Sequence, residues 1–383
     1  MDLLWWIIFW SSAGALAWVY VFYPVALWLL APRPTPPRPR ATDLPGVSVI
    51  VAARNEERVL RRKLDNCLTL DYPTDRTEVI VVSDGSTDGT DAILREYEAR
   101  GVRVLIPGAR IGKTEAQNRA VAVARQAILF FTDATTVHPP DVLRILVTRF
   151  GDPDVGCVSG RAVFREDGSL TSTGLRMKQW FDRHVRDLQS RLHTLFGATG
   201  CVYAVRRDLF VPLRPDLISD FVEPLELLAR GFRTVYEPAA VGIVDRSVPD
   251  VRREFSRRAR MALRGFRGMI HMARLLDPRR GVLQAVSLAS QRPLKWLTPL
   301  YALGILASTI FLEGVRSMEV LLAAQGVFYG TALAAWLLEQ AGVRVPRLFA
   351  IPLYFTLSCL ASLAGMRAVL RQETADTWET LGR

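Results

Sequence analysis

The sequence predicts an α/β protein with an open, doubly wound sheet between an N-terminal transmembrane anchor and about three C-terminal transmembrane helices. Short β-branched runs alternate with helical patterns from residue 47, and long apolar segments occupy both ends of the 383-residue chain. We divide the chain into an anchor (1–31), a Pro/Arg linker (32–46), a cytoplasmic domain (47–250), amphipathic interface helices (251–295), transmembrane helices (296–371) and a tail (372–383).

The anchor prediction rests on length and on the absence of charge. Residues 3–31 are almost free of charged side chains and are long enough to cross a bilayer. A signal peptide is the alternative, but the run is far longer than an h-region and no basic segment precedes it. Residues 296–312, 318–338 and 348–370 predict three further spans, with a buried helical hairpin of a soluble domain as the alternative.

The net charge of +11 comes largely from basic clusters at 33–40 and around 252–280, beside the predicted spans. Such flanks mark the cytoplasmic side and attract anionic lipids, so we expect an inner or plasma membrane protein whose 41–250 segment faces the cytoplasm. No aromatic platform or recognition motif supports a nucleic-acid partner. The four cysteines have no CxxC spacing, which predicts neither a disulfide framework nor a zinc site.

Four predicted strands form the parallel part of the sheet: 47–53, 78–83, 102–106 and 127–132. Helical patterns separate or follow them near 56–68, 90–100, 114–126 and 140–150. Residues 151–250 read as mixed α+β, with a helix near 172–195 and strands near 155–164, 201–206 and 234–237. Ligands of doubly wound sheets bind at the carboxyl ends of the strands, where this chain carries RNEE, DGSTDG and TDATT.

Three side chains at these strand ends suit a nucleotide. Asp84 follows a buried strand and can accept hydrogen bonds from a base or ribose, although this segment taken alone favours an Asx turn with a helix cap. Lys113 can bind a phosphate group, and Asn118 can form a hydrogen bond to a ligand one helical turn later. The alternative is that Lys113 is a solvated lysine at the start of a helix. No GxxxxGK[ST] spacing is present, which disfavours ATP hydrolysis.

Asp133 is the lone acid at the end of the apolar run AILFFT. Magnesium takes one or two protein carboxylates and completes its coordination shell with phosphate and water. Asp133 can therefore be the single carboxylate ligand, and Thr135 can supply a neutral oxygen or hydrogen-bond a coordinated water.

The ordered set VSVIVAARNEE, VVSDGSTD, GKTEAQNRA, FFTDATT, GATGCVYAVRRDLF, SDFVEPLELLARGFRTVYEP and EFSRRARMALRG resembles membrane-bound family 2 glycosyltransferases over about residues 40–270. The resemblance implies a GT-A fold, Mg2+ or Mn2+, and inverting sugar transfer from a nucleotide diphosphate donor. The donor-binding residues that it implies are Ala53, Asn55, Glu56, Asp84, Lys113, Asn118 and Asp133. The resemblance implies that Asp133 lies in the DxD element, near the metal and the diphosphate. This chain reads DAT and lacks the acid that the family usually uses for the metal, so Asp133 is the implied metal ligand.

The resemblance also implies a catalytic base and an acceptor pocket. Asp220 is the base that accepts the proton of the acceptor hydroxyl, with Glu223 as the backup and a helix cap as the alternative role. The N-terminus of the helix is expected to keep Asp220 ionised. Thr199 and Gly200 border the acceptor.

A basic helical stripe follows the predicted domain, with Arg253, Arg257, Arg260, Arg264 and Arg267 at spacings of four and three residues. The family's QxxRW element is missing, and Arg257, Arg258 and Arg260 stand roughly in its place, as diphosphate ligands. Lipid headgroups are an equal alternative for Arg264 and Arg267.

These observations predict a glycosyltransferase that moves a sugar, with a UDP-sugar favoured over a GDP-sugar, to a membrane lipid or a growing glycan at the cytoplasmic face. The alternative is a non-catalytic membrane scaffold that binds nucleotide sugars, which the missing second acid and the missing QxxRW favour.

Overall fold

In the computed structural model, the described residues are 2–33, 44–164, 170–244, 251–312, 314–341, 343 and 347–372. The Pro/Arg segment at 34–43 and the tail from 373 lie outside them. The strands are β1 (Val47–Ala53), β2 (Thr77–Ser83), β3 (Val102–Leu105), β4 (Ile128–Asp133), β5 (Thr136–Val137), β6 (Val155–Phe164), β7 (Tyr203–Arg206) and β8 (Arg233–Val244).

The helices follow the predicted organisation from one end of the chain to the other. They are α1 (Asp2–Ala17), α2 (Tyr23–Leu30), α3 (Glu57–Leu68), α4 (Thr90–Glu98), α5 (Lys113–Val123), α6 (Val142–Val147), α7 (Leu170–Arg191), α8 (Ser219–Ala229), α9 (Val251–His271), α10 (Val282–Gln291), α11 (Pro293–Trp296), α12 (Thr298–Phe311), α13 (Arg316–Gln340) and α14 (Ala350–Leu370). A π-helical segment, Trp18–Phe22, joins α1 to α2.

One mixed sheet carries all the described strands, in the order β3-β2-β1-β4-β7-β6-β8-β5. The first four are parallel, as the sequence predicts, whereas β7 is antiparallel to both β4 and β6. The sequence did not indicate β5, which has only two residues, or the length of β8. Register shifts between β6 and β8 break the simple alternation that would reveal a long strand.

The centre of the parallel half is buried on both faces, because β1, β4 and most of β2 are apolar. Val49 and Val51 of β1 pack into one core and Ile50 into the other. This arrangement fixes the carboxyl ends of β1, β2 and β4 along one rim of the sheet.

Three helical segments are long and apolar enough to cross a membrane: Asp2–Leu30, Arg316–Gln340 and Ala350–Leu370. A fourth candidate is the pair Val282–Trp296 and Thr298–Phe311, which is bent by 59°. The α12 helix packs along α1, with the rings of Trp5 and Phe311 stacked at 4.3 Å. Within the described residues, the chain therefore has three or up to four candidate spans.

The last apolar helix, α14, lies along the basic helix α9. A Cβ added at Gly365 would lie 2.6 Å from the Cβ of Ala262. Arg258 donates a hydrogen bond of 2.5 Å to the Ser358 hydroxyl. The close approach of the two helices requires a glycine in α14.

We predict that Phe131→Ala destabilises the joint between the parallel and antiparallel halves of the sheet. The Phe131 ring is fully buried and stacks on Tyr203 of β7 at 4.8 Å. Loss of a buried phenyl ring costs about 3–5 kcal/mol. Thermal unfolding in detergent should show a large fall in melting temperature, whereas Val211→Ala, at a side chain that is 39% exposed, should change it little. Equal effects of the two changes would contradict the assignment.

Candidate active site

The rim of the sheet brings together the ends of β1, β2 and β4. Ala53 pairs with Ser83 across β1 and β2, and Ala52 pairs with Asp133 across β1 and β4. Asp84, the residue after β2, donates its backbone N–H to the carbonyl of Ala53 at 2.8 Å. The strand-end residues predicted from the sequence are thus neighbours.

Asp84 is fully buried and holds the loop before α5. Its Oδ1 accepts hydrogen bonds from the backbone N–H groups of Ile111, at 2.6 Å, and Gly112, at 2.8 Å. Gly112 has a φ of 86°, which glycine adopts without strain. The carboxylate therefore fixes the position of Lys113, the next residue, and its contact with a nucleoside stays a prediction.

Asn55 and Glu56 hold the loop 84–90 against the end of β1. The Asn55 side chain accepts a hydrogen bond of 2.8 Å from the Thr87 N–H, and the Glu56 N–H donates one of 2.8 Å to the Thr90 hydroxyl. The Ala53 methyl group is buried in the core. These three predicted donor-binding residues therefore shape the rim, and their contacts with a donor stay predictions.

Lys113 and Asp133 form an ion pair at the centre of the rim. Lys113 Nζ lies 2.5 Å from Asp133 Oδ1, and the two side chains are 25% and 37% exposed. Burial alone would lower the pKa of Lys113, but the charges of Asp133 and Asp220 outweigh burial and raise that pKa above its ordinary value. The rim therefore presents a firmly protonated ammonium group.

Asn118 faces the protein rather than the rim. Its amide donates a hydrogen bond of 2.8 Å to the Leu213 carbonyl and accepts one of 3.2 Å from the Leu213 N–H. This pairing anchors the segment that leads to α8, and ligand binding by Asn118 has no support in these contacts.

Asp220 lies in the first turn of α8 and is partly buried. Burial raises its pKa above the ordinary value, while the charges of Lys113, Arg292 and Arg264 oppose that rise. The N-terminus of the helix was predicted to keep this acid ionised, but burial has the larger effect. A carboxylate with a raised pKa is a stronger proton acceptor once it is ionised.

The predicted acceptor segment packs directly on Asp220. A Cβ at Gly200 would clash with Asp220 Oδ2, so only glycine fits there. Thr199 instead faces β6, because its hydroxyl donates a hydrogen bond of 2.7 Å to the Gly160 carbonyl. Of the two predicted acceptor residues, Gly200 is thus the one against the candidate base.

The predicted diphosphate ligands on α9 have partners of their own. Arg257 and Arg258 both bind Glu254, at 2.5 and 2.8 Å. Arg260 is partly buried on the same helix. The contacts of Arg257 and Arg258 therefore give no support to a role as diphosphate ligands, and this role stays a prediction for all three arginines.

Sequence reasoning missed Arg292 and named Arg264 only as one member of the basic stripe. Arg264 Nη2 donates to the Leu217 carbonyl at 2.6 Å and to the Thr114 hydroxyl at 3.2 Å, beside Lys113. Arg292 follows α10 and interacts with Asp220. The sequence does not distinguish which of the five arginines of the stripe faces the rim. Arg292, an isolated arginine before Pro293, belongs to no recognisable motif.

Glu223, the predicted backup base, is only 2% exposed, within the protein core. Burial raises its pKa to about 8, and the Tyr203 hydroxyl partly offsets the rise. A side chain with no access to the rim is not a base for an acceptor, so Asp220 stays the single candidate.

The fold is that of the GT-A glycosyltransferases. A mannosyltransferase from Pyrobaculum calidifontis, solved in complex with GDP-Man and Mn2+, matches 97% of this chain and 99% of its own with a TM-score of 0.74 and 24% sequence identity. Residues 48–213 match the model of glycosyl transferase family 2, so the chain carries a domain of that family. The predicted fold class is thereby confirmed, and the match to the family model is confined to residues 48–213.

Two curated relatives are enzymes of the same kind. The chain is 33% identical over 160 residues to beta-monoglucosyldiacylglycerol synthase of Synechocystis, which is 40% of this chain and 33% of that protein. It is 31% identical over 247 residues to an N-acetylglucosaminyltransferase of Rhizobium meliloti, which is 60% of this chain and 56% of that protein. The chain thus aligns with a third to just over half of these relatives' lengths.

We predict that Glu223→Gln removes a pH dependence of stability. The folded chain keeps this proton up to a pKa of about 8, whereas the unfolded chain releases it near the ordinary value of 4.5. The free energy of unfolding of the native protein therefore falls as pH rises between these two values. The melting temperature of Glu223→Gln relative to the native protein should rise steadily from pH 5 to pH 8, while that of the exposed control Glu98→Gln should not. A flat difference for Glu223→Gln would contradict the burial argument.

Proposed function

We propose that the protein transfers a sugar, with inversion at the anomeric carbon, from a nucleotide diphosphate donor to an acceptor in the membrane. The observation that carries this proposal is the position of Asp220 beside the Lys113–Asp133 ion pair. A proton acceptor and an ammonium group for the leaving diphosphate then share one rim.

The proposed chemistry uses side chains already described. Asp220 accepts the proton of the acceptor hydroxyl while the oxygen of that hydroxyl forms a bond to the anomeric carbon. The bond from that carbon to the diphosphate oxygen breaks, and the nucleoside diphosphate leaves with the electron pair. Lys113 and Arg264 neutralise its charge. The donor is a UDP-sugar, or a GDP-sugar as in the mannosyltransferase complex.

A divalent metal fits this site only together with the donor. Among the described residues, no group of three His, Cys, Asp or Glu side chains could hold a metal. Asp133 alone offers a carboxylate, and Lys113 already lies on it. Asp133 would hold Mg2+ or Mn2+ with diphosphate oxygens completing the shell, and the bound ion would add positive charge at the leaving group.

We further propose that α14 lies at the membrane interface and that α1–α2, α12 and α13 cross the membrane. Met318, near the start of α13, belongs to the same hydrophobic cluster as Phe9, and Trp336, near its end, packs against the same cluster as Phe255 of α9. The 25 residues of α13 are long enough to cross a bilayer. The positive flanks support an orientation with the catalytic domain and the end of α14 on the cytoplasmic side.

We predict that Asp220→Asn lowers sugar transfer by about 10²–10⁴-fold, because the amide cannot accept the proton. Purified protein in detergent is incubated with UDP- and GDP-sugars, membrane lipids and Mn2+, and the product is measured. Nucleotide binding should be kept, and Asp208→Asn, at an exposed acid, should behave as the native protein. Native protein and Asp220→Asn that behave alike would favour a non-catalytic scaffold.

We predict that Thr135→Asp strengthens metal binding, because it supplies the second carboxylate of the DxD pattern. The Mn2+ concentration that half-saturates nucleotide binding, measured by thermal shift, should fall about tenfold, since more ligand charge tightens a hard-cation site. Thr69→Asp adds the same charge at an exposed position directly after α3 and serves as the control. An unchanged Mn2+ requirement would contradict the assignment of residues 133–135 as the metal-binding segment.

A further inference from the structure

Lys63 is a fully buried lysine on α3 that contacts the end of β4. None of its surface is exposed to solvent. Its Nζ donates hydrogen bonds to the Thr132 hydroxyl, at 2.7 Å, and to the Thr136 carbonyl, at 2.6 Å. Both of these acceptors are neutral oxygens. A lysine is rarely buried completely without a charged partner, because its ammonium group loses the solvation of water. The position of Lys63 therefore has a cost that calls for a physical reason.

The two acceptors of Lys63 stand on either side of the segment 133–135, which reads DAT. Residue 132 precedes Asp133 and residue 136 follows Thr135. Between them, the Ala134 side chain is only 4% exposed and belongs to the same core cluster as Leu60 and Leu64 of α3. One ammonium group thus fixes both ends of this turn from the protein interior, while the Asp133 side chain stays 37% exposed at the rim.

A chain of hydrogen bonds connects Lys63 to β8. The Thr132 hydroxyl lies 2.7 Å from His138 Nε2, and His138 Nδ1 lies 3.0 Å from the Val241 carbonyl. Because a carbonyl only accepts, Nδ1 carries a proton. Burial, together with the charge of Lys63, holds the pKa of His138 well below its usual range, so the ring is neutral and Nε2 accepts. The Thr132 hydroxyl therefore accepts from Lys63 and donates to His138, which fixes its orientation.

Asp133 is influenced by two lysines. Lys113 Nζ contacts its carboxylate at 2.5 Å, and Lys63 Nζ contacts the preceding residue, Thr132. Burial lowers the pKa of Lys63, whereas the charges of Cys67 and Asp133 oppose that fall, so Lys63 and Asp133 are close enough to interact. Position 135 holds a threonine. The orientation of one carboxylate therefore decides how well this turn can hold a cation.

We propose that Lys63 is a positioning residue that holds the turn 133–135 so that Asp133 faces the metal and the diphosphate. Groups that support a metal ligand from the protein side fix its orientation, and their removal typically weakens metal binding by about 10–100-fold. The proposal rests on the proposed function, because it concerns the same site. The competing explanation is that Lys63 only stabilises the fold.

The test measures the Mn2+ concentration that half-saturates nucleotide binding to the full chain in detergent, with UDP and GDP titrated separately. Lys63→Met keeps an unbranched side chain and removes the ammonium group. We expect the half-saturating Mn2+ concentration to rise at least about tenfold. The direction of the change is decisive, because removal of a positive charge near a cation site would by itself tighten Mn2+ binding. A rise therefore reports lost positioning rather than lost charge.

Two variants on α3 serve as controls. Arg58→Met removes a positive charge from an exposed position and should leave the half-saturating Mn2+ concentration unchanged. Asn66→Ala removes the two hydrogen bonds, of 2.8 and 2.9 Å, between the Asn66 amide and the backbone of His138. It loosens the same segment beyond the turn, so it should lower the melting temperature without the rise in Mn2+ concentration.

An unchanged or lower half-saturating Mn2+ concentration in Lys63→Met would overturn the proposal, as would an equal rise in Asn66→Ala. Nucleotide binding to the native protein that needs no Mn2+ would overturn it as well. If Lys63→Met does not fold, Thr132→Val removes the hydroxyl alone and should raise the Mn2+ concentration in the same direction; no rise would contradict the proposal.

Sugar transfer is assayed separately, so that this inference and the proposed function can fail independently. Transfer that Asp220→Asn abolishes, combined with an unchanged Mn2+ requirement in Lys63→Met, refutes this inference and keeps the proposed function. A raised Mn2+ requirement in Lys63→Met, combined with equal transfer by the native protein and Asp220→Asn, refutes the proposed base and keeps the role of Lys63.

Discussion

The ion pair between Lys113 and Asp133 is the interaction on which the rest of the site depends. Asp84, buried behind the rim, fixes the backbone of residues 111 and 112, so Lys113 starts α5 at the point where its ammonium reaches Asp133 at 2.5 Å. The buried carboxylate of Asp84, at the end of β2, thus positions Lys113 on the carboxylate of Asp133, at the end of β4. The three acids at this rim have different surroundings. Asp84 holds the loop, Asp133 pairs with the lysine, and Asp220, which also interacts with that cation, is the proposed base.

The positive charge around Asp220 comes from arginines on helices that lie far from Lys113 in the sequence. Arg264 lies on α9, and Arg292 lies beside the bend that leads into α12. Helices next to the candidate membrane spans therefore also contribute side chains to the candidate site. This arrangement accounts for an acid whose burial raises its pKa while neighbouring cations limit the rise. It also supports the proposed membrane acceptor, because the candidate base and the candidate spans are connected by the same helices.

The sequence was sufficient for the parallel half of the sheet, since runs such as VSVIVAA are apolar at nearly every position and end in polar residues at one rim. Asp133 and Asp220 were found from motif order. The orientation of single arginines was not predictable: Arg257 and Arg258 carry the same charge as Arg264 on the same helix, yet Glu254 binds the first two. Asn118 matched a motif, but its amide is used by the backbone of Leu213, a contact between segments far apart in the chain. Such outcomes depend on tertiary packing, which spacing along a helix does not encode.

The most direct measurement is an experimental structure of the full chain in detergent with a bound nucleoside diphosphate and Mn2+. The account predicts a diphosphate oxygen within about 3.2 Å of Lys113 Nζ, on the rim formed by β1, β2 and β4, with Asp220 facing the space beyond it. A diphosphate bound instead at Arg257 and Arg258, with the Lys113–Asp133 pair turned away from the ligand, would contradict it.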